Sequence, residues 1–250
     1  MKTPEVSVAA LDGVAEASRA HFGAGRLRVA TAGYTVSLDR EHPRRVAALL
    51  TALVAKASPE ALGFVTSPTT RAGSIDRVTS EVALALGVPL LHVTAREFLG
   101  AARPNALRDP HLRARWEAVP RLVLPTREAY SQATAYASDA LLVFSGRDAS
   151  VSDFSFALER GNRAVLAVDA GLGALSRDPS TGRPVDAARF LKEALQCWSR
   201  GEEPPDPLPP TLSPERRARW GSAWQDRVLA LSWGEPYEAH TRRLAAFLAG

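Results

Sequence analysis

Cysteine is almost absent. The single Cys197 excludes an intramolecular disulfide and any metal site built from several thiolates. It also fits a reducing compartment, so a cytoplasmic protein is expected. The five histidines, His21, His42, His92, His111 and His240, form no H-x-x-H or H-E-x-x-H pair. No metal centre and no resident cofactor are therefore expected. No apolar run approaches the roughly 18 residues of a membrane span, which leaves no membrane partner. The opening MKTPEVSVAALDGVAEAS carries acids inside its apolar stretch and lacks the compact core of a secretory signal. Neither G-x-x-x-x-G-K-[ST] nor G-x-G-x-x-G occurs, which removes a P-loop NTPase and weakens a dinucleotide-dependent dehydrogenase. The serines and threonines have no His or Lys partner at a diagnostic spacing, so a serine hydrolase is not supported.

Lysine is also scarce. It stands only at positions 2, 56 and 192, so arginine supplies nearly all of the 31 basic residues in a chain of net charge +4. The arginines are scattered among acids and make no stripe. That distribution reads as a solvated surface, and nucleic acid is the disfavoured partner. The 250 residues, 46% of them hydrophobic, suffice for one large domain or a domain with a small appendage.

Apolar runs alternate with helical periodicity along most of the chain. Strands are expected within Arg26–Val36, Ala61–Ser67, Val88–Ala95, Pro120–Thr126, Asp139–Gly146 and Asn162–Gly171, with amphipathic helices between them. Ser74 is the expected N-cap, and Gly87 the C-cap, of one such helix. His42, before Pro43, reads as a turn residue. His92 sits inside a strand and reads as a buried, hydrogen-bonded histidine. Near-continuous apolar strands joined by helices imply an α/β fold. The expected architecture is a doubly wound, mostly parallel Rossmann-like sheet with a helical C-terminal extension. The organisation expected is a helical lead-in at 1–25, the Rossmann-like domain at 26–200, a Pro-rich linker at 201–211 and a helical tail at 212–250. Ser213 and Pro214 start the tail as N-cap and N1. Its tryptophans, Trp220, Trp224 and Trp233, are expected to pack it onto the body or onto a second subunit, with a homodimer as the partner reading.

In such a sheet, ligands lie beyond the carboxyl ends of the strands. Three strand-end loops are rich in small and hydroxyl residues. The first runs from Thr31 to Thr35 and offers Gly33 and Tyr34. The second offers Ser67, Thr69, Thr70, Arg71, Gly73, Ser74 and Asp76. The third offers Ser145, Gly146, Arg147 and Ser150. Two of the loops carry an arginine, and each leads into a helix whose first N–H groups suit an anion, so a phosphate-bearing ligand is expected. Tyr34, Tyr130 and Phe154 are candidates for stacking on a base.

The segment DALLVFSGRDASVSDFSFALERGNRAVLAV (residues 139–168) resembles the last motif of the SLOG superfamily. That superfamily includes the Lonely Guy phosphoribohydrolases, molybdenum-cofactor carrier proteins and DprA-type domains. Against P-G-G-x-G-T-x-x-E, Gly146 keeps one glycine, Arg147 and Ala149 replace two others, Ser150 replaces the Thr, and Asp153 replaces the Glu. Ala72-Gly73-Ser74-Ile75-Asp76 is similar to a DprA-type turn, and the strand leading to Gly33 is similar to the usual opening. The resemblance covers about residues 26–170 and implies a nucleotide-binding fold. It also implies Asp153 as the carboxylate for N-glycosidic chemistry, with Asp148 or Asp76 as substitutes, and Arg127 as the catalytic arginine. Four readings remain open: a sensor or carrier of a nucleotide-derived ligand, a nucleoside 5′-monophosphate phosphoribohydrolase, a single-strand DNA module, and a structural homodimer.

Overall fold

The computed structural model describes residues 5–7, 11–34, 39–101, 107–172, 175–204 and 208–250. Eight strands form one sheet: β1 (Glu5–Ser7), β2 (Leu27–Ala32), β3 (Leu62–Thr66), β4 (Leu90–Ala95), β5 (Arg121–Leu124), β6 (Ala140–Val143), β7 (Arg163–Asp169) and β8 (Val228–Trp233). Their order is β1-β5-β4-β3-β2-β6-β7-β8, and every pairing is parallel. From β2 the chain winds outward through β3, β4 and β5 on one side, then returns to β6, β7 and β8 on the other. The order therefore reverses between β2 and β6, where Ala32 pairs with Val143 at the carboxyl edge.

Helices cover both faces. On one face α2 (His42–Ala57), α3 (Ile75–Leu86), α4 (Pro110–Glu117) and α9 (Tyr237–Ala249) bury Leu49, Leu53, Val82, Trp116 and Leu248 against Val29, Phe64, Leu142 and Phe144. On the other, α1 (Leu11–Phe22), α5 (Arg127–Ala137), α6 (Asp148–Arg160) and α7 (Ala187–Ser199) bury Val14, Phe22, Phe154, Phe190 and Leu191 against Ala30, Val65, Leu141 and Val143. The strand residues alternate between these two sets, as a pleated strand requires. Both faces are dry, which explains why the strands read as unbroken apolar runs. The expected caps are present. Ser74 accepts from Arg77 N, and Gly87 ends α3 in the left-handed region with its N–H on Ala83 O. The four-residue helix α8 (Pro214–Arg217) starts at Ser213, which accepts from Arg216 N.

Three expectations of helix or turn are corrected. The lead-in 1–25 contains the helix α1 but also the short strand β1, which extends the sheet beyond β5. The tail 212–250 contains β8, paired with β7 from Val228 to Trp233. Leu229, Leu231 and Trp233 are its buried alternate positions; this period of two was hidden by the helical signal of the residues before it. His42 is no turn residue. It is the first residue of α2 and is fully buried. The tail packs on the body as expected. Trp220 contacts Phe154, Trp198 and Trp224 edge to face at 5.4–5.8 Å, and Trp233 meets Phe144 in the same way. Within the expected linker, residues 205–207 lie outside the described residues.

Trp233 fills the end of β8 beneath α9 with no exposed surface. Its replacement by alanine is expected to lower unfolding free energy by about 3–5 kcal/mol, read as a reduced urea midpoint.

Candidate functional site

The two strands that flank the reversal end in glycines that nearly touch. A Cβ on Gly33 would collide with Ile75, lying 2.8 Å from the Ile75 Cβ and closer still to its Cγ1. A Cβ on Gly146 would strike Ser150 and lie 3.0 Å from the Gly33 carbonyl carbon, and Gly146 has φ +104°. Only glycine fits this conformation and this spacing. Around the pair, Phe144 N donates to Ala32 O at 3.0 Å, Ile75 N to Tyr34 O at 3.2 Å and Ala187 N to Gly146 O at 2.8 Å. Ser150 Oγ donates to Gly33 O at 3.3 Å. The starts of α3, α6 and α7 are thus tied to the β2 and β6 ends.

Over this junction opens a cleft of about 760 Å³, walled by α3, α5 and α6 and floored by the ends of β2 and β3. That volume suits a nucleotide-sized molecule. The floor is a ladder of hydroxyls: Thr31 Oγ1 lies 3.3 Å from Thr66 Oγ1 and 3.0 Å from Thr79 Oγ1. Thr66 Oγ1 then donates to Asp76 Oδ1 at 2.7 Å, and Ser67 N donates to the same oxygen at 3.2 Å. Asp153 faces Asp76 from α6. Its carboxyl has no hydrogen-bond partner among the described residues. Both carboxyls keep some contact with solvent through the cleft, yet protein surrounds them densely. Burial pushes Asp153 up to about 8, and the neighbouring charge of Asp76 adds to the effect. Burial also raises Asp76, opposed by the two hydrogen bonds it accepts. Like charges in a poorly solvated space disfavour a second ionisation, so the pair holds a proton in the neutral range. Tyr130 of α5 bonds Ser67, and burial, Asp76 and Asp153 together push its hydroxyl upward, so it stays protonated. Phe98 meets the Tyr130 ring edge to face at 5.9 Å.

The structure brings eight of the expected site residues to the cleft lining: Gly33, Ser67, Thr69, Asp76, Tyr130, Asp148, Ser150 and Asp153. Gly146 and Gly73 (φ +77°) form the supporting turns, and Ser74 is occupied as a helix cap. Thr70 is buried with its carbonyl on Arg77 Nη1. Ser145 is fully buried, and its hydroxyl has no partner among the described residues. Arg71 and Arg147 are exposed and stand outside the lining. Tyr34 is turned into the core, where its hydroxyl bonds His42 Nδ1. Phe154 is wholly buried under Trp220. Arg127 begins α5, but its side chain lies outside what the structure describes, as does Thr35. No lysine or arginine lines the cleft among the described residues. The sequence reading placed Thr31 and Thr66 at the head of two loops without singling them out, and it missed Phe98, Ser131 and Thr134, which approach from elements that carry no motif. The strand position of Thr31, one residue before the Ala32–Gly33 turn, was the available signal.

A second polar group lies behind β2 on the α2 face. His42 Nε2 is 3.7 Å from Asp169 Oδ2, both side chains fully buried. Arg45 Nε donates to Asp169 Oδ2 at 2.8 Å and Arg45 Nη2 to Asp39 Oδ2 at 2.7 Å. Burial lowers the His42 pKa against the pull of Asp169, so the ring is neutral near pH 7. His92 is the buried histidine expected: it has no exposure, its Nε2 lies 3.1 Å from Ser80 Oγ, and burial with nearby Arg121 brings it to about 3.

Two predictions follow from this geometry. Gly33→Ala forces Ile75 and the start of α3 aside and is expected to cost about 1–3 kcal/mol, measured by chemical denaturation. Asp153 has a folded-state pKa of about 8 against an ordinary value of 3.8. Its contribution to stability is full at acid pH and is lost as pH rises from the ordinary value through the folded one. Asp153→Asn is therefore expected to melt higher than the parent at neutral and alkaline pH and to match it in acid. Equal melting temperatures across a pH series would remove the claim that this carboxyl is stored at a cost.

No family model matches the sequence, and no curated protein matches it. Among solved structures, the molybdenum cofactor carrier protein from Chlamydomonas reinhardtii aligns with TM-score 0.52 and 10% identity, covering 90% of this chain and 99% of that one. DNA processing protein A from Helicobacter pylori, described by its single-stranded DNA binding mode, aligns with TM-score 0.45 and 14% identity over 69% of this chain and 74% of that one. At such identities the likeness to the carrier protein concerns the fold alone, and the second alignment adds no weight. The chain is thus similar, in its parallel α/β architecture, to that carrier protein.

Proposed function

We propose that the protein binds a nucleotide or nucleotide-derived ligand in the cleft at the carboxyl edge of the sheet, as a sensor or carrier. The observation that carries this reading is the cleft itself. It lies over the strand-order reversal, it has the size of such a ligand, and it offers hydroxyls from strand ends and helices, carboxyls of α3 and α6, and the aromatic pair Phe98 and Tyr130. The architectural likeness to a cofactor carrier protein is compatible with it. The sugar and base belong with the hydroxyl ladder and the carboxyls. Any phosphate belongs toward the start of α6, whose N-cap position makes no side-chain cap bond. The expected guanidinium clamp by Arg71 and Arg147 plays no part in this arrangement, since both point to solvent.

One observation favours turnover: a pair of carboxyls, one of them neutral, in a single cleft. N-glycosidic hydrolysis uses an acid for the leaving base and an ionised carboxylate to stabilise an oxocarbenium-like state. Asp153 could serve as the first and Asp76 as the second. Asp76, however, is already engaged by Thr66 and Ser67, which leaves it poorly placed to orient a water, and binding is the reading adopted.

Calorimetric titration with nucleosides and their 5′-monophosphates tests the proposal, with the same mixtures assayed for free base. Saturable binding without base release is the expected result. Base release that Asp153→Asn abolishes would replace the carrier reading with the hydrolase. Absence of binding by every compound would overturn both.

A further inference from the structure

Asp76 and Asp153 are not equivalent. Asp76 is fixed by a threonine hydroxyl and a backbone N–H. Asp153 is held by neither, and its carboxyl lines the cleft with no hydrogen-bond partner among the described residues. A carboxyl placed in this way keeps its donor and acceptor positions open to a guest in the cleft. Beside it, Phe98 and Tyr130 meet edge to face and make an apolar corner suited to one planar ring.

We infer that Asp153, braced by Asp76, is the edge that recognises an amino-substituted nitrogen heterocycle, with the ring held in the Phe98–Tyr130 corner. This rests on the nucleotide reading above and specifies which part of the ligand meets which wall. A carboxylic acid presents an O–H donor and a carbonyl acceptor side by side in one plane. An adenine-type or cytosine-type edge presents the matching pair, an amino N–H beside a ring nitrogen acceptor, so two parallel hydrogen bonds form. A guanine-type edge presents two adjacent donors and suits the ionised carboxylate instead. Removing the amino group leaves a bare acceptor and forfeits one bond.

The protonation that recognition requires agrees with the surroundings. Among the described residues, the titratable groups lining the same space are Asp76 of α3, Tyr130 of α5 and Asp148 of α6, while β2 and β3 contribute hydroxyls. None of these stabilises a second negative charge, and burial with Asp76 holds the Asp153 proton up to about 8. An apolar, like-charged setting that keeps a carboxylic acid neutral as a hydrogen-bond donor has precedent in enzyme chemistry.

Calorimetry with adenosine, purine riboside and guanosine, at about pH 6.5 and about pH 9 to bracket the carboxyl, tests the inference. At the lower pH adenosine is expected to bind about tenfold tighter than purine riboside, the worth of one net hydrogen bond, and tighter than guanosine. At the higher pH both advantages should shrink. Asp153→Asn replaces the acid with a carboxamide that offers the same donor and acceptor without titrating, so its preference for adenosine should persist at both pH values. Asp153→Ala should lose the preference at both. Equal binding of adenosine and purine riboside by the parent at the lower pH overturns the inference, as does a preference unchanged at the higher pH. Base-blind binding of the nucleosides would overturn it while leaving the nucleotide reading intact. No binding of nucleosides or their monophosphates would overturn both.

Discussion

The near-contact of Gly33 and Gly146 governs the functional end of the molecule. Two parallel strands that run side by side must send their chains to opposite faces of the sheet, and the space between the departing chains becomes the recess. Here that divergence is pinned by main-chain contacts. The Tyr34 carbonyl holds the first N–H of α3, the Gly33 carbonyl takes the Ser150 hydroxyl, and the Gly146 carbonyl takes the first N–H of α7. A side chain at either glycine would push a helix away. The hydroxyl ladder, the two carboxyls and the aromatic corner all depend on those helices starting where they do.

The cleft departs from the arrangement common among anion-binding loops. Its loops have the right topology and helix starts, but the lining is acidic and hydroxylated. Two carboxyls in one poorly solvated space are unfavourable for the fold, because charge there is stripped of water without a compensating cation among the described residues. Such strain is a familiar mark of functional positions. The buried polar group behind β2 is different in kind. Arg45 neutralises Asp169 and reaches Asp39 at the surface, and His42 stays neutral between Asp169 and Tyr34. That group fastens the end of β7 to the start of α2 and serves packing.

The layered fold was legible because alternation of strand and helix, and dryness on both faces, impose strong patterns. All six strands read from apolar runs are present, and Ser74, Gly87 and Ser213 cap where their chemistry demands. β1 was illegible because three residues carry no pattern. β8 was illegible because its alternation of Leu229, Leu231 and Trp233 follows a helix-like stretch. Within the cleft, residues at strand ends were legible, because a glycine or an aspartate beside a turn signals its place. Those arriving sideways were not: Phe98 and Ser131 are ordinary in their own segments and become lining only through the tertiary fold. The arginines misled for a related reason. Their place in the strand-end loops suggested a clamp, but a long charged side chain turns to water unless something holds it, and nothing holds Arg71 or Arg147 inward.

The walls of the cleft hang from opposite layers: α3 belongs to the layer of α2 and α9, while α5 and α6 belong to the layer of α1 and α7. A guest bound between them would act as a strut across the sheet's upper rim, joining helix layers packed on opposite faces of the sheet. Such a strut would resist sliding of one layer against the other.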